Sequence, residues 1–439
     1  MKSYSPPSPS TETVEDGVVS YAPLVAMGLL VILAGVYWGL PLVLMIFGVI
    51  AMITIHELGH FLTAKWAGMK VTEFFIGFGP RLWSFSRGET EYGIKAIPAG
   101  AYVRIIGMNN LDEVPPEDEA RSYRQQSFPK RVIVVLAGPA THLIQAFVIL
   151  MIMFAIVGVP DGEPLGADPE KANTWVVDTI TKGSAAEAAG LRSGDRIVEF
   201  DGHEVSTWGD VSDLIGAHEI GDTVTVKYQR DAQDDGPIVE KSITLKRRPA
   251  DIPGNHDNAF LGVGAGVPSE TFGVLDSVGR SITGTGEVTW QSLVAMGRFF
   301  SPTGISDYAD TVGNGAETPT QTTGSSHATS SDDEGTGSNR MLSILGVLQL
   351  GSDAGEQGLV NLLPIFLMIN VFVGMINLVP LLPFDGGHAA VAVYERIRSR
   401  DGRRYHADVS KLLPVAYAVV MGLVILGVTS LYLDIVNPI

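Results

Sequence analysis

Residues 42–64 read Leu42-Val-Leu-Met-Ile-Phe-Gly-Val-Ile-Ala-Met-Ile-Thr-Ile-His56-Glu57-Leu58-Gly59-His60-Phe-Leu-Thr-Ala64. The run is long and apolar enough to cross a bilayer as a helix. It nevertheless carries two histidines and a glutamate. On a helix, residues i and i+4 lie on one face, so His56 and His60 can hold one metal ion between them. Ionisable groups at membrane depth are costly to desolvate and are therefore candidates for chemistry. Two histidines bonded to neighbouring helices are the bland alternative.

Composition narrows the class. The chain has 439 residues, 46% of them hydrophobic, and a mean hydropathy of +0.23. That suits a membrane protein with a substantial aqueous part. There is no cysteine, so disulfides, thiol catalysis and Cys-ligated metal are excluded. Any metal must be held by His, Asp, Glu or water. Net charge is -18, and residues 158–358 hold 13 Lys/Arg against 31 Asp/Glu, with 17 against 17 elsewhere. The whole imbalance sits in one segment, read as a solvated acidic surface. Its sign argues against nucleic-acid binding. Dense carboxylates also suit a high-salt exterior.

Five stretches are read as spans: about Tyr21–Trp38, Leu42–Trp66, Val132–Val157, Leu359–Val379 and Leu412–Leu433. Each reaches across ~30 Å of hydrocarbon at ~1.5 Å per residue. Gly39-Leu40-Pro41 separates the first two. Basic residues set the orientation. Lys65, Lys70, Arg81, Arg87, Lys95 and Arg104 lie between the second and third spans, and Arg396, Arg398, Arg400, Arg403 and Arg404 between the fourth and fifth. Both loops are expected in the cytoplasm, and segment 158–358 outside. The chain is thus expected to be a multi-pass protein of the cell membrane, with its N-terminus cytoplasmic.

Residues 1–20 are read as a disordered cytoplasmic tail, and 21–157 as an N-terminal membrane part. Residues 174–248 alternate like strands, with Gly and Asp as punctuation and a short helix near Val211–Ala217. They are expected to form a small α+β domain. Residues 271–300 suit an amphipathic helix on the membrane surface. Residues 301–340 are rich in Ser, Thr, Gly and Asp and read as a flexible linker. Residues 341–439 form a C-terminal membrane part.

A metal site in a hydrolase normally takes three protein ligands. Asp385, in Asn377-Leu-Val-Pro380-Leu-Leu-Pro383-Phe-Asp385-Gly-Gly-His388, is the best third candidate. In the topology above, the second and fourth spans run in the same direction. His56 lies roughly 21 Å into its span at ~1.5 Å per residue, a depth that Asp385 shares. Pro380 and Pro383 break the helix, and irregular backbone at that depth is tolerated beside a hydrated cavity. A span that merely ends there, with an interfacial Asp385, is the alternative.

Three motifs together resemble the site-2 proteases, zinc-dependent intramembrane proteases. They are the HELGH of residues 56–60, Gly138-Pro139 in the third span, and the Asn377 to Gly387 stretch. Ala96-Ile-Pro-Ala-Gly100-Ala-Tyr102-Val-Arg104 is similar to that family's membrane-dipping β-hairpin, and Val176–Leu245 to its PDZ domain. The resemblance covers roughly 46–397 without the linker, and the combination is highly specific. It implies one zinc ion on His56, His60 and Asp385, with Glu57 as general base. It implies that Asn377 holds the substrate backbone or a developing oxyanion. Near Gly93–Ile105, with Gly100 and Tyr102, it implies a strand edge that captures an unwound substrate. The implied substrates are transmembrane proteins, already trimmed by an upstream protease and filtered or bound by the PDZ-like domain.

This sequence departs from the pattern in an extra first span, in His142 where the Gly-Pro motif carries Asn, and in Phe384 where Leu is usual. His142 reads as a hydrogen-bonding or packed core histidine, not a ligand. Two rival functions stand beside the protease: a membrane-tethered PDZ binding protein with an inactive or structural metal site, and a zinc hydrolase of soluble chains. Glu57 speaks against the first, and Asp385 beside the prolines against the second.

Overall fold

The computed structural model describes residues 22–108, 112–160, 175–232, 236–249, 258–266, 269–313, 343–399 and 405–436. The expected tail, 1–20, lies outside them. Contacts divide the chain into one unit of residues 1–149 and 282–439 and a second of 150–281.

The first unit opens with helix α1 (Ala22–Trp66), broken at Gly39 (φ 84°, ψ 160°) just before Pro41. The residues read as two spans are therefore two helical stretches joined at a kink. Next come strands β1 (Val71–Arg87) and β2 (Thr90–Ile105). Helix α2 (Phe128–Ile152) follows and ends in a π-turn at Met153–Val157.

The hairpin is larger than the expected Gly93–Ile105, which is only its second strand. Both strands bend. Phe74, Phe75 and Ile76 pair with Tyr92–Ile94 on one side and with Ala101–Val103 on the other. Trp83–Phe85 pair with Tyr92–Ile94 from the far side. Four short segments thus lie side by side. Gly77 makes the bend: its φ of 88° suits only glycine, and a Cβ would fall 2.8 Å from the Ile97 carbonyl. Sequence alternation cannot reveal such double pairing, because it depends on where the strand folds over.

The second unit contains β3 (Val159–Pro160), β4 (Val176–Ile180), α3 (Ala185–Ala189), β5 (Arg196–Phe200), β6 (His203–Glu204) and α4 (Trp208–Gly216). It continues with β7 (Thr223–Gln229), β8 (Ile238–Thr244), β9 (Lys246–Arg247), β10 (Ala259–Phe260), β11 (Val263–Gly266) and β12 (Ser269–Glu270). An antiparallel sheet runs β6-β5-β7-β8, and β4 pairs with β11. The pairing therefore continues past residue 248. Alternate residues of β7, Val224, Val226 and Tyr228, enter a core with Trp175, Val177, Ile197, Phe200 and Ile243. Helix α4 starts in a capping box made by Thr207 and Asp210.

Helix α5 (Val274–Phe299) exposes Leu275, Ile282, Trp290 and Leu293 near helical spacing. Helix α6 (Pro302–Gly313) occupies the start of the expected linker. Tertiary contact explains this correction: the Tyr308 hydroxyl meets those of Thr429 at 2.8 Å and Ser430 at 2.9 Å. Residues 314–342 lie outside the described ones. The chain then forms α7 (Ile344–Gln357), α8 (Leu362–Asn377), α9 (Asp385–Arg398) and α10 (Leu413–Val436).

Among the described residues, four helical stretches are long and apolar enough to cross a membrane: Val31–Trp66, Phe128–Val157, Leu359–Asn377 and Val409–Val436. The last exposes Val415, Met421, Val424, Ile425 and Val428. A helix apolar all round and uncovered by protein is solvated by lipid.

Candidate metal centre

His56 and His60 leave the same face of α1 and are 7% and 4% exposed. That face meets α2 at unusually short range, because glycines stand on both sides. A Cβ on Gly59 would fall 2.8 Å from the Ala137 carbonyl. One on Gly138 would lie 2.6 Å from Cε1 and 2.7 Å from Nε2 of His56, and closer still to Nε2 of His60. Small residues let apolar helices approach in this way. The approach also orients His60, whose Nδ1–H donates to the Val134 carbonyl at 2.7 Å. Its Nε2 therefore carries a lone pair.

Asp385 arrives from the other side. Helix α8 ends at Asn377, residues 378–384 are non-helical, and Asp385 is the first residue of α9. The following glycines make this turn possible. A Cβ on Gly386 would run into the Leu378 and Val379 carbonyls, and one on Gly387 would lie 2.5 Å from Leu381 and Leu382 backbone. Helix α9 is anchored to α2 by Arg131, whose Nη1 donates to Oε2 of Glu395 at 2.6 Å. Both side chains are buried, and Oε1 of Glu395 accepts the Ala407 N–H at 2.7 Å.

Three atoms converge: Nε2 of His56, Nε2 of His60 and Oδ2 of Asp385, with all three separations 3.2 Å. Among the described residues they are the one group of His, Asp or Glu that could hold a metal ion. Three vertices of a tetrahedron spaced this way stand about 2.0 Å from its centre, the Zn–N distance. Lone pairs facing one another at 3.2 Å repel unless a cation lies between them. The donor set therefore fits zinc.

Glu57 lies between the two histidines in sequence, and its Oε2 accepts the backbone N–H of Val103 at 3.1 Å. The outer edge of residues 101–105 thus runs along α1. Gly100 is buried in this contact, with its Cβ position 3.7 Å from Ile53. Tyr102 is engaged within the hairpin: its hydroxyl donates to Glu73 at 2.6 Å and accepts from Lys95 at 2.7 Å. Its ring stacks on Phe75 and Phe78. Asn377 is half-buried at the end of α8.

Asn370 escaped the sequence reading. It is 1% exposed on α8 and bonds to His142 of α2, which is equally buried. An amide inside an apolar span was the available signal. Neither the Val134 carbonyl nor the Val103 N–H could have been found this way, since backbone groups leave no mark in a sequence.

Residues 44–422 match the model of "Peptidase family M50". The chain is 32% identical over 420 residues to the zinc metalloprotease Rip1 of Mycobacterium tuberculosis, covering 91% of this chain and 98% of that one. It is 32% identical over 431 residues to the zinc metalloprotease Rip1 of Mycolicibacterium smegmatis, with the same coverage. Among solved structures, the PDZ domain of an SdrC-like protein from Listeria monocytogenes matches 21% of this chain and 88% of its own length. Identity there is 20% and the TM-score 0.18.

Proposed function

The chain belongs to peptidase family M50, the site-2 proteases, and on that premise we propose that His56, His60 and Asp385 hold its zinc while Glu57 serves as general base. As a family member it is a zinc metalloprotease and a multi-pass membrane protein. The observation that carries the residue assignment is the 3.2 Å triangle of buried donor atoms.

Zinc, when bound, supplies a Lewis acid and lowers the pKa of water enough to make a nucleophile near neutrality. The chain's own groups do the rest. Glu57 takes a proton from the attacking water as its oxygen bonds to the scissile carbonyl carbon. When the C–N bond breaks, the same carboxyl returns that proton to the leaving amine.

The substrate is a transmembrane segment that has been trimmed outside by an upstream protease. Its unwound backbone adds to the outer edge of residues 101–105, taking the Val103 N–H from Glu57 as the edge parts from α1. Gly100 allows that edge to press on α1. Tyr102 stiffens it through Glu73 and Lys95, and Asn377 holds the substrate backbone. A half-buried amide at the end of α8 supports this role for Asn377.

The remaining organisation follows the charge and the apolar pattern. Residues 1–20 are a cytoplasmic tail, 21–157 and 341–439 the membrane parts, and the hairpin faces inward. Residues 174–248 form an extracytoplasmic PDZ-like domain, 271–300 an amphipathic helix, and the rest of 301–340 a linker. The kink at Gly39 supports counting the first helix as two spans, five in all.

Comparing membrane proteomes of cells carrying wild-type or Glu57→Gln protein tests the reading. Membrane stubs should accumulate in the variant. Indistinguishable proteomes would refute it.

A further inference from the structure

Asn370 determines which nitrogen of His142 carries the proton. Its Nδ2 donates to the His142 backbone carbonyl at 2.6 Å, and that oxygen can only accept. The amide oxygen therefore faces the ring, 2.7 Å from Nδ1. An amide oxygen also only accepts, so Nδ1 of His142 bears the hydrogen. The lone pair is left on Nε2, which is buried and without a partner among the described residues.

His56 presents the complementary vacancy. Its Nε2 belongs to the donor triangle, so in the neutral ring Nδ1 bears the hydrogen. That Nδ1 is likewise buried and unpartnered among the described residues. The two rings lie 5.1 Å apart between centroids, inclined by 46°. A ring-to-ring N–H···N bond of ~3 Å separates centroids by about 5 Å. One buried donor and one buried acceptor thus stand on neighbouring rings without a direct bond between them, and leaving both unmade costs stability.

We propose that His142 accepts a hydrogen bond from Nδ1–H of His56, through one water or after a small turn of either ring, and so orients that metal ligand. Metal-ligating histidines commonly donate their second N–H to an oriented acceptor. His60 uses the Val134 carbonyl for this; His56 uses a side chain. His142 is a positioning residue and not a ligand, since it falls outside the group that can share one ion. The role rests on the zinc site proposed above.

The test uses the full chain in detergent, stripped of metal and reloaded with zinc against a chelator or with Co²⁺. His142→Phe keeps an aromatic ring and removes the acceptor. Zinc affinity should fall ~10–100-fold, and the Co²⁺ absorption bands should shift. His142→Gln, whose Oε1 reaches about as far as Nε2, should restore most of both. Asn370→Leu should weaken zinc in the wild-type background and add nothing to His142→Phe. Wild-type affinity and spectrum in His142→Phe would overturn the role, as would a glutamine variant no better than phenylalanine. Should phenylalanine prevent folding, leucine against glutamine makes the same comparison. Absence of stoichiometric zinc from the wild-type chain would instead overturn the metal site itself.

Discussion

The backbone N–H of Val103 donates to Oε2 of Glu57 across 3.1 Å, although the two stand on different elements. One edge of the bent hairpin therefore borders the proposed base. A peptide added to that edge would compete with Glu57 for the Val103 N–H.

Glu57→Gln separates base from ligand. The amide oxygen can still accept from Val103, so the fold should be preserved. Zinc content by elemental analysis should match wild type, while cleavage of a membrane substrate falls by at least ~10². Near-normal turnover would rule out Glu57 as the base.

Gly138→Ala should weaken the metal site without replacing a ligand. The new methyl would stand 2.7 Å from Nε2 of His56 and closer to that of His60. Neither ring can retreat without leaving the triangle. Zinc stoichiometry should drop well below one, with a stability loss of about 1–3 kcal/mol. Asp385→Ala should lower zinc content too, by taking away a donor and not by crowding. Full occupancy in both variants would contradict the assignment.

Arg131 and Glu395 form a buried pair, 9% and 3% exposed at their side chains. Arg131→Met should cost about 3–5 kcal/mol, because the buried Glu395 charge loses the guanidinium that balances it. Arg131→Met with Glu395→Leu should recover most of this. Thermal unfolding in detergent reads both. Since α9 carries Asp385, the single variant should also bind zinc more weakly. Equal melting temperatures for single and double variants would show that the charge is not the cause.

Glu89, in the hairpin turn, receives both Arg121 and Lys65. The Arg121 guanidinium, against partial burial and with help from Lys65, holds its carboxyl down to about 2. A carboxylate depressed on folding stabilises the protein above its unfolded pKa. That contribution is lost as pH falls through the folded value. Glu89→Gln should therefore cost up to ~1 kcal/mol at neutral pH, as partly exposed pairs do. The gap between variant and wild type should close between pH ~4.5 and ~2. A gap that persists at pH 2 would assign the loss to packing.

Much of this site is legible in the sequence because its signals are local. The four-residue spacing of His56 and His60 places both on one helix face. Their apolar surroundings mark them as costly and therefore purposeful. Pro380, Pro383 and the glycines after Asp385 announce a broken helix end. The extent of the hairpin is not legible there, since its double pairing arises from a fold-back at Gly77. Helix α6 reads as linker in the sequence, because its hold on Thr429 and Ser430 spans more than a hundred residues of chain.

By itself, then, the sequence determined the class of protein, the helix face that carries both histidines and the kind of chemistry they suit. Helix periodicity and hydrophobicity are properties of neighbouring residues. Only the tertiary structure decided that Asp385 meets both imidazoles at 3.2 Å, that Gly138 leaves room for them, and that Asn370 sets the proton on His142. Those relations join residues far apart in the chain. They rest on backbone carbonyls and missing side-chain volume, which have no letter of their own.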